Sequence, residues 1–242
     1  MKNQKEFQTS IPVHRGRKSL TERVIENTIN DYNERVAQMH KMDSAGEGAI
    51  RKESEKLMEH VLQTIVSQVS KETGKKIDMK RGNEDYFRRG VKDLNGNYVF
   101  DDEVQVDYNI YHEGKLIAVV EIKSNLDKCY LKRAVSDFED ISASLFENGK
   151  NPSNVKYIIF SGQNAVADSS ARYYKTRFFD YTRRFFGKKK GGFSFDTFFL
   201  VNGKRNFHLP IYKSGCGFNA MEGIRFASYL IKLVNMSSKI AA

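Results

Sequence analysis

The chain is poor in cysteine and has no long apolar segment, and each absence narrows the class of protein. Its two cysteines, Cys129 and Cys216, lack metal-ligand spacing, which argues against a disulfide framework and for a reducing compartment. No apolar run approaches the roughly 18–20 residues of a membrane span. The polar N-terminus also lacks the apolar core of a signal peptide. We therefore expect a cytoplasmic protein that does not associate with a membrane.

The chain does have length, apolar content and positive charge. Its 242 residues, 40% of them hydrophobic, suffice for a globular protein with a real core. The net charge of +10 makes a polyanion, nucleic acid first, the favoured partner. The sequence has no internal repeat and no low-complexity linker. We expect one domain over 1–242, with a basic arm (1–18), a helical subdomain (19–74) and an α/β core (75–242).

A β-hairpin is predicted over residues 104–123, VQVDYNIYHEGKLIAVVEIK, where two runs rich in Val, Ile and Tyr flank a polar turn at Gly114. Side chains alternate along a strand, so Glu121 and Lys123 project from one face. The apolar residues before them indicate a central strand covered on both faces. A carboxylate and an ammonium at the end of such a strand are costly unless they are paired or bound to a metal.

Asp107, on the first strand of the hairpin, reaches that face in only one kind of register. A two-residue loop places it opposite Val120, on the wrong face. A three-residue loop with Gly114 in the left-handed conformation places it opposite Val119, diagonal to Glu121. If Asp107 and Glu121 converge on one face, the loop must have an odd number of residues. An even register would exclude a functional role for the two acids together. The alternative is a solvated edge hairpin with a cross-strand salt bridge.

Two carboxylates on neighbouring strands, with the backbone carbonyl of Ile122 between them, form an all-oxygen site suited to Mg²⁺. The ion can acidify a bound water, polarise a phosphoryl oxygen and hold both in line. Lys123 can orient the attacking water or stabilise the negative charge of the transition state. The pattern of acids and lysine on this hairpin resembles the PD-(D/E)xK nuclease superfamily, to which many type II restriction endonucleases belong. It consists of Asp107, a spacer of thirteen residues and then Glu121-Ile122-Lys123. Val106 stands where the family name has Pro.

The resemblance implies a restriction-endonuclease-like fold, an α/β domain with a central mixed sheet of about five strands, flanking helices and a helical N-terminal subdomain. It implies a Mg²⁺-dependent endonuclease that cuts double-stranded DNA at a fixed sequence, most like a type II restriction enzyme. Such enzymes usually act as homodimers on palindromic sites. It also implies that a glutamate on a helix before the hairpin orients a water at the metal. The segment Ser54-Glu55-Lys56-Leu57 is most similar to that helix, so we nominate Glu55; the alternative is a solvated helical face.

Positive charge concentrates in residues 172–190, which hold eight basic residues against one Asp on a predicted helix over 167–186 and a following loop. We expect these side chains to contact DNA phosphates: Arg172, Lys175, Arg177, Arg183, Arg184, Lys188, Lys189 and Lys190. The loop 187–192 lacks the spacing of a Walker phosphate loop, so no nucleotide cofactor is expected. The alternative for the loop is a solubilising role.

The sequence is also compatible with two other functions. One is a structure-specific or repair nuclease of the same superfamily. The other is a non-catalytic DNA-binding protein that uses the basic helix and loop and has no need for Asp107 and Glu121 to converge.

Overall fold

The structure, a computed structural model, describes residues 19–41, 47–123, 126–162, 165–166, 168–186, 198–199 and 220–239. These residues form five α-helices and seven strands, in the order α1 (Leu20–Lys41), α2 (Glu47–Thr73), β1 (Ile77–Arg81), β2 (Phe87–Lys92), β3 (Tyr98–Val104), β4 (Tyr108–His112), β5 (Lys115–Lys123), α3 (Lys128–Glu147), β6 (Lys156–Ser161), α4 (Asp168–Phe186), β7 (Phe198–Phe199) and α5 (Ala220–Lys239).

The central sheet is mixed and has the strand order β1-β4-β5-β6-β7. β4 pairs antiparallel with both β1 and β5, whereas β6 pairs in parallel with both β5 and β7. The parallel pairing of β5 with β6 requires a crossover, which α3 provides. The predicted fold class, a mixed sheet of about five strands flanked by helices with a helical N-terminal part, is confirmed.

Each face of the sheet packs on its own helical layer. Ala118, Val120 and Ile122 of β5 belong to one buried core, together with residues of α1, α2 and α5. Val119 faces the other way, into a second core formed with α3 and α4. The alternation of β5 thus explains why the strand is apolar almost throughout, because both faces are covered.

The helical layer follows directly from its sequence pattern. Ser19 and Glu22 form a capping box at the start of α1. The Glu22 carboxylate accepts from the Ser19 backbone N–H at 2.8 Å, and the Glu22 backbone N–H donates to the Ser19 hydroxyl at 3.1 Å. α5 fits closely against α1, where Gly223 leaves room for Ile29. Among the described helices, none combines the length and apolar character of a bilayer span.

Some predicted boundaries were wrong, and the differences lie beside the hairpin. The expected strand over 104–111 is divided, because Val104 ends β3 and β4 begins only at Tyr108. Before it, Phe87 opens β2 within the charged segment 82–90, and β2 pairs with β3 in a separate two-stranded sheet. Residues 105–107 thus form a short link between two sheets. The basic arm (1–18) lies outside the described residues.

Candidate active site

The hairpin turn has two residues, so the predicted odd-numbered loop is wrong. His112 pairs with Lys115 across Glu113 and Gly114. Both turn residues have positive φ, 50° for Glu113 and 74° for Gly114, as a type I′ turn requires. This tight turn matches the twist of the flanking strands better than the longer loop would.

A β-bulge further along the hairpin corrects the register. Tyr111 pairs with Leu116, but Ile110 pairs with Ala118, so Ile117 is the extra residue. Ile117 and Ala118 accordingly both belong to the core on the α2 side. The bulge shifts β5 by one residue, and the even loop therefore does not exclude the functional interpretation.

Beyond the bulge, Asp107 comes level with Glu121 rather than with Val119 as predicted, because the next residue, Tyr108, pairs with Val120. The change of partner preserves the predicted convergence. Directly opposed residues in an antiparallel pair share a face, so the carboxylates of Asp107 and Glu121 emerge on the same side at the end of the hairpin.

The structure brings Asp107, Glu121 and Lys123 together. The Lys123 Nζ lies 2.6 Å from Oε2 of Glu121 and 3.5 Å from Oδ2 of Asp107. The Glu121 side chain is buried, Lys123 is partly buried, and 42% of the Asp107 side chain is exposed. The cluster therefore sits at the surface end of a buried strand and is open to a substrate on the Asp107 side.

The charges of the cluster are strongly coupled. Burial, and next the negative charge of Asp107, raise the pKa of Glu121 to about 7 even though the Lys123 ammonium acts in the opposite direction. Burial alone would lower the pKa of Lys123, but the carboxylates of Glu121 and Asp107 outweigh it and raise that pKa. One ammonium thus does not neutralise two ionised acids, and a further cation near them would favour the ionised form of Glu121.

The oxygen atoms available here fit Mg²⁺. The backbone N–H of Ile122 points toward Asp107, to whose Oδ2 it donates at 2.6 Å. In a strand the N–H and C=O of one residue point to the same neighbour, so the Ile122 carbonyl also points to the Asp107 side. In the part of the chain that the structure describes, no three His, Cys, Asp or Glu side chains form a metal-binding group. Two carboxylates and one carbonyl, completed by water, are a donor set typical of Mg²⁺.

A cleft of about 460 Å³ opens beside Asp107 and Ile122, on the side of the sheet that α2 covers. Glu55 lines this cleft, as does Glu59 one helical turn further along. Glu55 therefore lies in the same cleft as Asp107, although the group of three acids needed for a metal site is not formed in the described residues. Its proposed role toward a metal-coordinated water stays a prediction.

Glu59 is held by two neighbouring side chains. Arg81 donates to the Glu59 carboxylate at 2.7 Å, and Tyr108 also shares a hydrogen bond with it. Burial would raise the pKa of Glu59, but the bonds from Tyr108 and Arg81 lower it. Burial and the neighbouring Glu59 raise the pKa of Tyr108 to about 12. Sequence reasoning missed Arg81 and Tyr108, because no pattern along the chain connects β1 and β4 to α2.

A further carboxylate, Asp137 of α3, approaches the cluster on the α3 side of the sheet, the face onto which Glu121 and Lys123 project together with Val119 and which lies opposite the cleft. Burial raises the pKa of Asp137, the negative charge of Asp140 adds to that rise, and the positive charges of Arg133 and Lys123 oppose it. Asp137 in turn contributes to the raised pKa of Glu121. The spacing of Arg133 and Asp137 by four residues on a helix was the available sequence signal.

The predicted DNA-contacting side chains are only partly within the described residues. Arg172 and Lys175 are exposed on α4, whereas Arg177 donates at 2.9 Å to the buried Glu139 of α3 and so links the two helices. The side chains of Arg183 and Arg184, and the whole loop with Lys188, Lys189 and Lys190, lie outside the described residues. α4 packs in the α3 layer, opposite the layer that contains the cleft.

Comparison with known proteins assigns no family. No family model matches the chain, and no curated protein matches its sequence. Among solved structures it is similar to NucC of P. aeruginosa ATCC27853 in the cAAA-bound form, with 12% sequence identity, a TM-score of 0.42 and 91% of each chain covered. Agreement of the two backbones at this level assigns neither family nor function, so a function has to be derived from the side chains of the site.

Proposed function

We propose that this protein is a Mg²⁺-dependent nuclease that hydrolyses DNA phosphodiester bonds, with Asp107, Glu121 and Lys123 at its active site. The observation that carries the proposal is the convergence of two carboxylates on one ammonium at the exposed end of a buried strand. A simple salt bridge needs one acid. The second acid raises the pKa of the first, a cost to stability that a cation-binding function explains.

Asp107, Glu121 and the carbonyl of Ile122 are the groups that would hold the ion. When bound, Mg²⁺ polarises a phosphoryl oxygen and makes a coordinated water more acidic. The buried Glu121 is a ligand that two neighbouring strands hold in place, whereas the exposed Asp107 is on the side from which the scissile phosphate approaches. Such a preorganised pair of anions lowers the reorganisation needed when the substrate arrives.

Lys123 acts as a cation and not as a base in this proposal. Its raised pKa keeps the ammonium protonated at neutral pH. Three N–H groups on one nitrogen allow it to keep a bond to Glu121 while it donates to the attacking water or to a phosphoryl oxygen. Water forms a new bond to phosphorus and releases a proton to solvent, the bond to the leaving oxygen breaks and that oxygen takes up a proton from solvent, and Lys123 stabilises the additional negative charge of the transition state. No covalent enzyme intermediate is required.

The finer part of the proposal is a type II restriction enzyme that cuts double-stranded DNA at a fixed sequence as a homodimer. The order of Asp107 and Glu121-Ile122-Lys123 on a hairpin supports it, together with the net charge of +10. Two copies related by a two-fold axis would cut both strands of a palindromic site. No nucleotide cofactor is part of this reaction.

Incubation of the purified protein with phage DNA, in Mg²⁺ or in EDTA, tests the proposal. Discrete fragments in Mg²⁺ alone are expected, and the fragment ends give the recognition sequence. A smear in Mg²⁺ would replace the restriction enzyme by a nonspecific or structure-directed nuclease.

Lys123→Ala is the matched variant for that assay. It should retain the fold and the affinity for DNA but lose cleavage by about a thousandfold or more, since an interaction of the transition state is removed. Intact DNA with the wild-type protein, accompanied by retarded bands, would indicate a non-catalytic DNA-binding protein and overturn the nuclease.

A further inference from the structure

The cleft beside Asp107 has two walls of different chemistry. One is α2, where Lys52 and Lys56, one helical turn apart, point to the cleft from the same side of the helix. The other is formed by residues next to β1 and β4, and it presents the side-chain amides of Asn83 and Gln105. Lysines suit phosphates, and amides suit base edges.

Most of the remaining charge in the cleft is already balanced. Arg81 is paired with Glu59 at 2.7 Å. Lys56 has an ion pair with Glu53 at 3.2 Å, but both side chains are exposed, and such a pair exchanges readily for another anion because it contributes little. Within the described residues, no hydrogen bond or ion pair engages the Lys52 ammonium. The ammonium groups of Lys52 and Lys56 are therefore available to phosphates, beside the carboxylates of Glu55 and Glu59 on the same wall.

Backbone hydrogen bonds fix the turn that carries Asn83. Asn83 lies in a tight turn in which the backbone N–H groups of Glu84 and Asp85 donate to the carbonyls of Arg81 and Gly82 at 3.0 and 3.3 Å. The N–H of Gly82 in turn donates to the Asp107 carbonyl at 3.2 Å, so this turn is fixed to the active-site link.

The side-chain amides of Asn83 and Gln105 have no hydrogen-bond partner among the described residues, and both side chains are exposed. Gln105 is two residues before Asp107, on the same link. Side-chain amides that are not satisfied within the protein have both donors and acceptors available to a ligand.

We propose that this cleft receives one nucleotide of the DNA strand next to the phosphate that is cut. Lys52 and Lys56 contact the flanking phosphates, and Asn83 and Gln105 contact the edge of the base. A volume of about 460 Å³ falls within the range of small-molecule sites. The inference rests on the proposed function for the position of the cut, and it assigns base selectivity there to the β1–β2 turn and the link before Asp107.

This path differs from the one that the sequence suggested. The basic side chains of α4 lie in the α3 layer of the sheet, whereas the cleft lies in the α2 layer. Lys128 and Lys132 on α3 are exposed and offer an alternative path for the strand. The two paths differ in which lysines neutralise DNA phosphates and thereby release the counterions condensed on the DNA. This difference can be measured from the salt dependence of binding.

Salt-dependent binding tests the α2 wall. Each protein is titrated with a fluorescent duplex of random sequence, in EDTA and on a Lys123→Ala background, so that binding is read without cleavage. Lys52→Ala and Lys56→Ala should each lower the slope of log K against log salt by about 0.9, the value for one lost phosphate contact. Lys71→Ala, on the last turn of the same helix, should leave the slope unchanged.

An unchanged slope for Lys52→Ala and Lys56→Ala, with a reduced slope for Lys132→Ala, would overturn the cleft as the strand path. Because binding is measured without a divalent metal, this result is independent of whether wild-type protein cuts DNA. If wild-type protein leaves DNA uncut in Mg²⁺, the proposed nuclease function is wrong. The binding result then still decides whether DNA lies in the cleft.

Base selectivity tests the amide wall. The same Lys123→Ala background is used to select duplexes from a randomised pool, and the bound duplexes are sequenced. Asn83→Ala and Gln105→Ala should flatten the base preference at one position, by about tenfold in relative enrichment, since a bidentate amide contact is worth on the order of 1–3 kcal/mol. Gln38→Ala, an exposed amide on α1, serves as control. An unaltered preference, or a uniform loss across all positions, would overturn the reading role of the two amides.

Discussion

The backbone N–H of Ile122 donates a 2.6 Å hydrogen bond to Oδ2 of Asp107. Asp107 belongs to the link between β3 and β4 and not to a regular strand, so this bond fixes its carboxylate beside the strand that carries Glu121 and Lys123. The geometry of the cluster thus depends on one bond between a side chain and the end of β5, where the ladder with β4 has already stopped.

Removal of the Lys123 ammonium should destabilise the protein more at high pH than at low pH. Lys123→Ala leaves Glu121 buried beside Asp107, and the loss of one partner of a buried pair costs on the order of 3 kcal/mol. At pH 5.5 Glu121 takes up a proton at little cost and most of the loss is avoided, whereas at pH 8.5 the carboxyl is fully ionised in the unfolded chain, so either a proton must be bound from a dilute supply or the charge stays buried, and the loss is larger. Urea unfolding at both pH values measures the difference.

Glu121→Gln in the Lys123→Ala background is the control, because a neutral amide needs no counterion. It should restore most of the free energy of unfolding at pH 8.5. An equal loss of stability for Lys123→Ala at both pH values would show that packing of the lysine chain, and not charge, is what matters.

Without metal, the wild-type protein should become less stable as the pH rises from about 4.5 to about 7. The pKa of Glu121 is about 7 in the folded protein and about 4.5 when unfolded, so the native state binds more protons in this interval. Stability then falls with increasing pH, since the slope follows the difference in bound protons. Melting temperatures in EDTA, compared between wild type and Glu121→Gln, isolate this contribution. A constant difference between the two proteins across the interval would contradict the raised pKa.

The hairpin illustrates what the sequence could and could not predict. Alternation along β5 correctly placed Val120 and Val119 in different cores, because burial on both faces requires an apolar strand. The loop length was wrong because Glu113 adopts positive φ, which non-glycine residues rarely do. The bulge at Ile117 could not be predicted from the hydrophobic pattern of β5, because one additional apolar residue in a strand that is apolar on both faces does not change that pattern.

The surroundings of the cluster were less predictable than the cluster. The order of Asp107, Glu121 and Lys123 on one hairpin is local, so strand geometry together with one of two possible registers brought them close in the prediction, and the structure reaches that convergence through a bulge that was not predicted. Asp137 and Arg81 reach the site from separate elements. Their positions depend on how α3 and β1 pack on the sheet, and this packing involves contacts between distant parts of the chain that periodicity does not encode.

Two glycine substitutions should have different effects on stability. A Cβ at Gly82 would overlap the backbone carbonyl of Val106, which cannot move without displacing the link to Asp107. Gly82→Ala should therefore cost roughly 2 kcal/mol or more, as overpacking does. A Cβ at Gly223 meets only side chains of α1, Ile29 and Ile25, and alanine gains about 1 kcal/mol of helix propensity over glycine. Gly223→Ala should stay within about 1 kcal/mol of wild type.

Thermal unfolding of the two variants, beside the exposed Glu84→Ala as control, measures this contrast. Gly82→Ala should also weaken cleavage beyond its effect on stability, because Gly82 donates to the Asp107 carbonyl. Equal melting temperatures for Gly82→Ala and Gly223→Ala would mean that the turn before β2 moves freely.

Mg²⁺ should reverse the pH dependence of stability at the site. Binding of the ion by Asp107 and Glu121 requires both carboxylates to be ionised, so protons compete with the metal below the pKa of Glu121, about 7. The apparent affinity should then rise by up to about tenfold for each pH unit between 5.5 and 7 and level off above it. A ligand that binds only the folded state stabilises it in proportion to the logarithm of its concentration over Kd. The increase in melting temperature on addition of Mg²⁺ should accordingly be small at pH 5.5 and largest above pH 7.

Glu121→Gln should remove the increase, while Glu84→Ala, on the turn beside the cleft, should keep it. If Mg²⁺ raises the melting temperature equally at all pH values, or equally in Glu121→Gln, the ion is bound elsewhere and Glu121 is not its ligand.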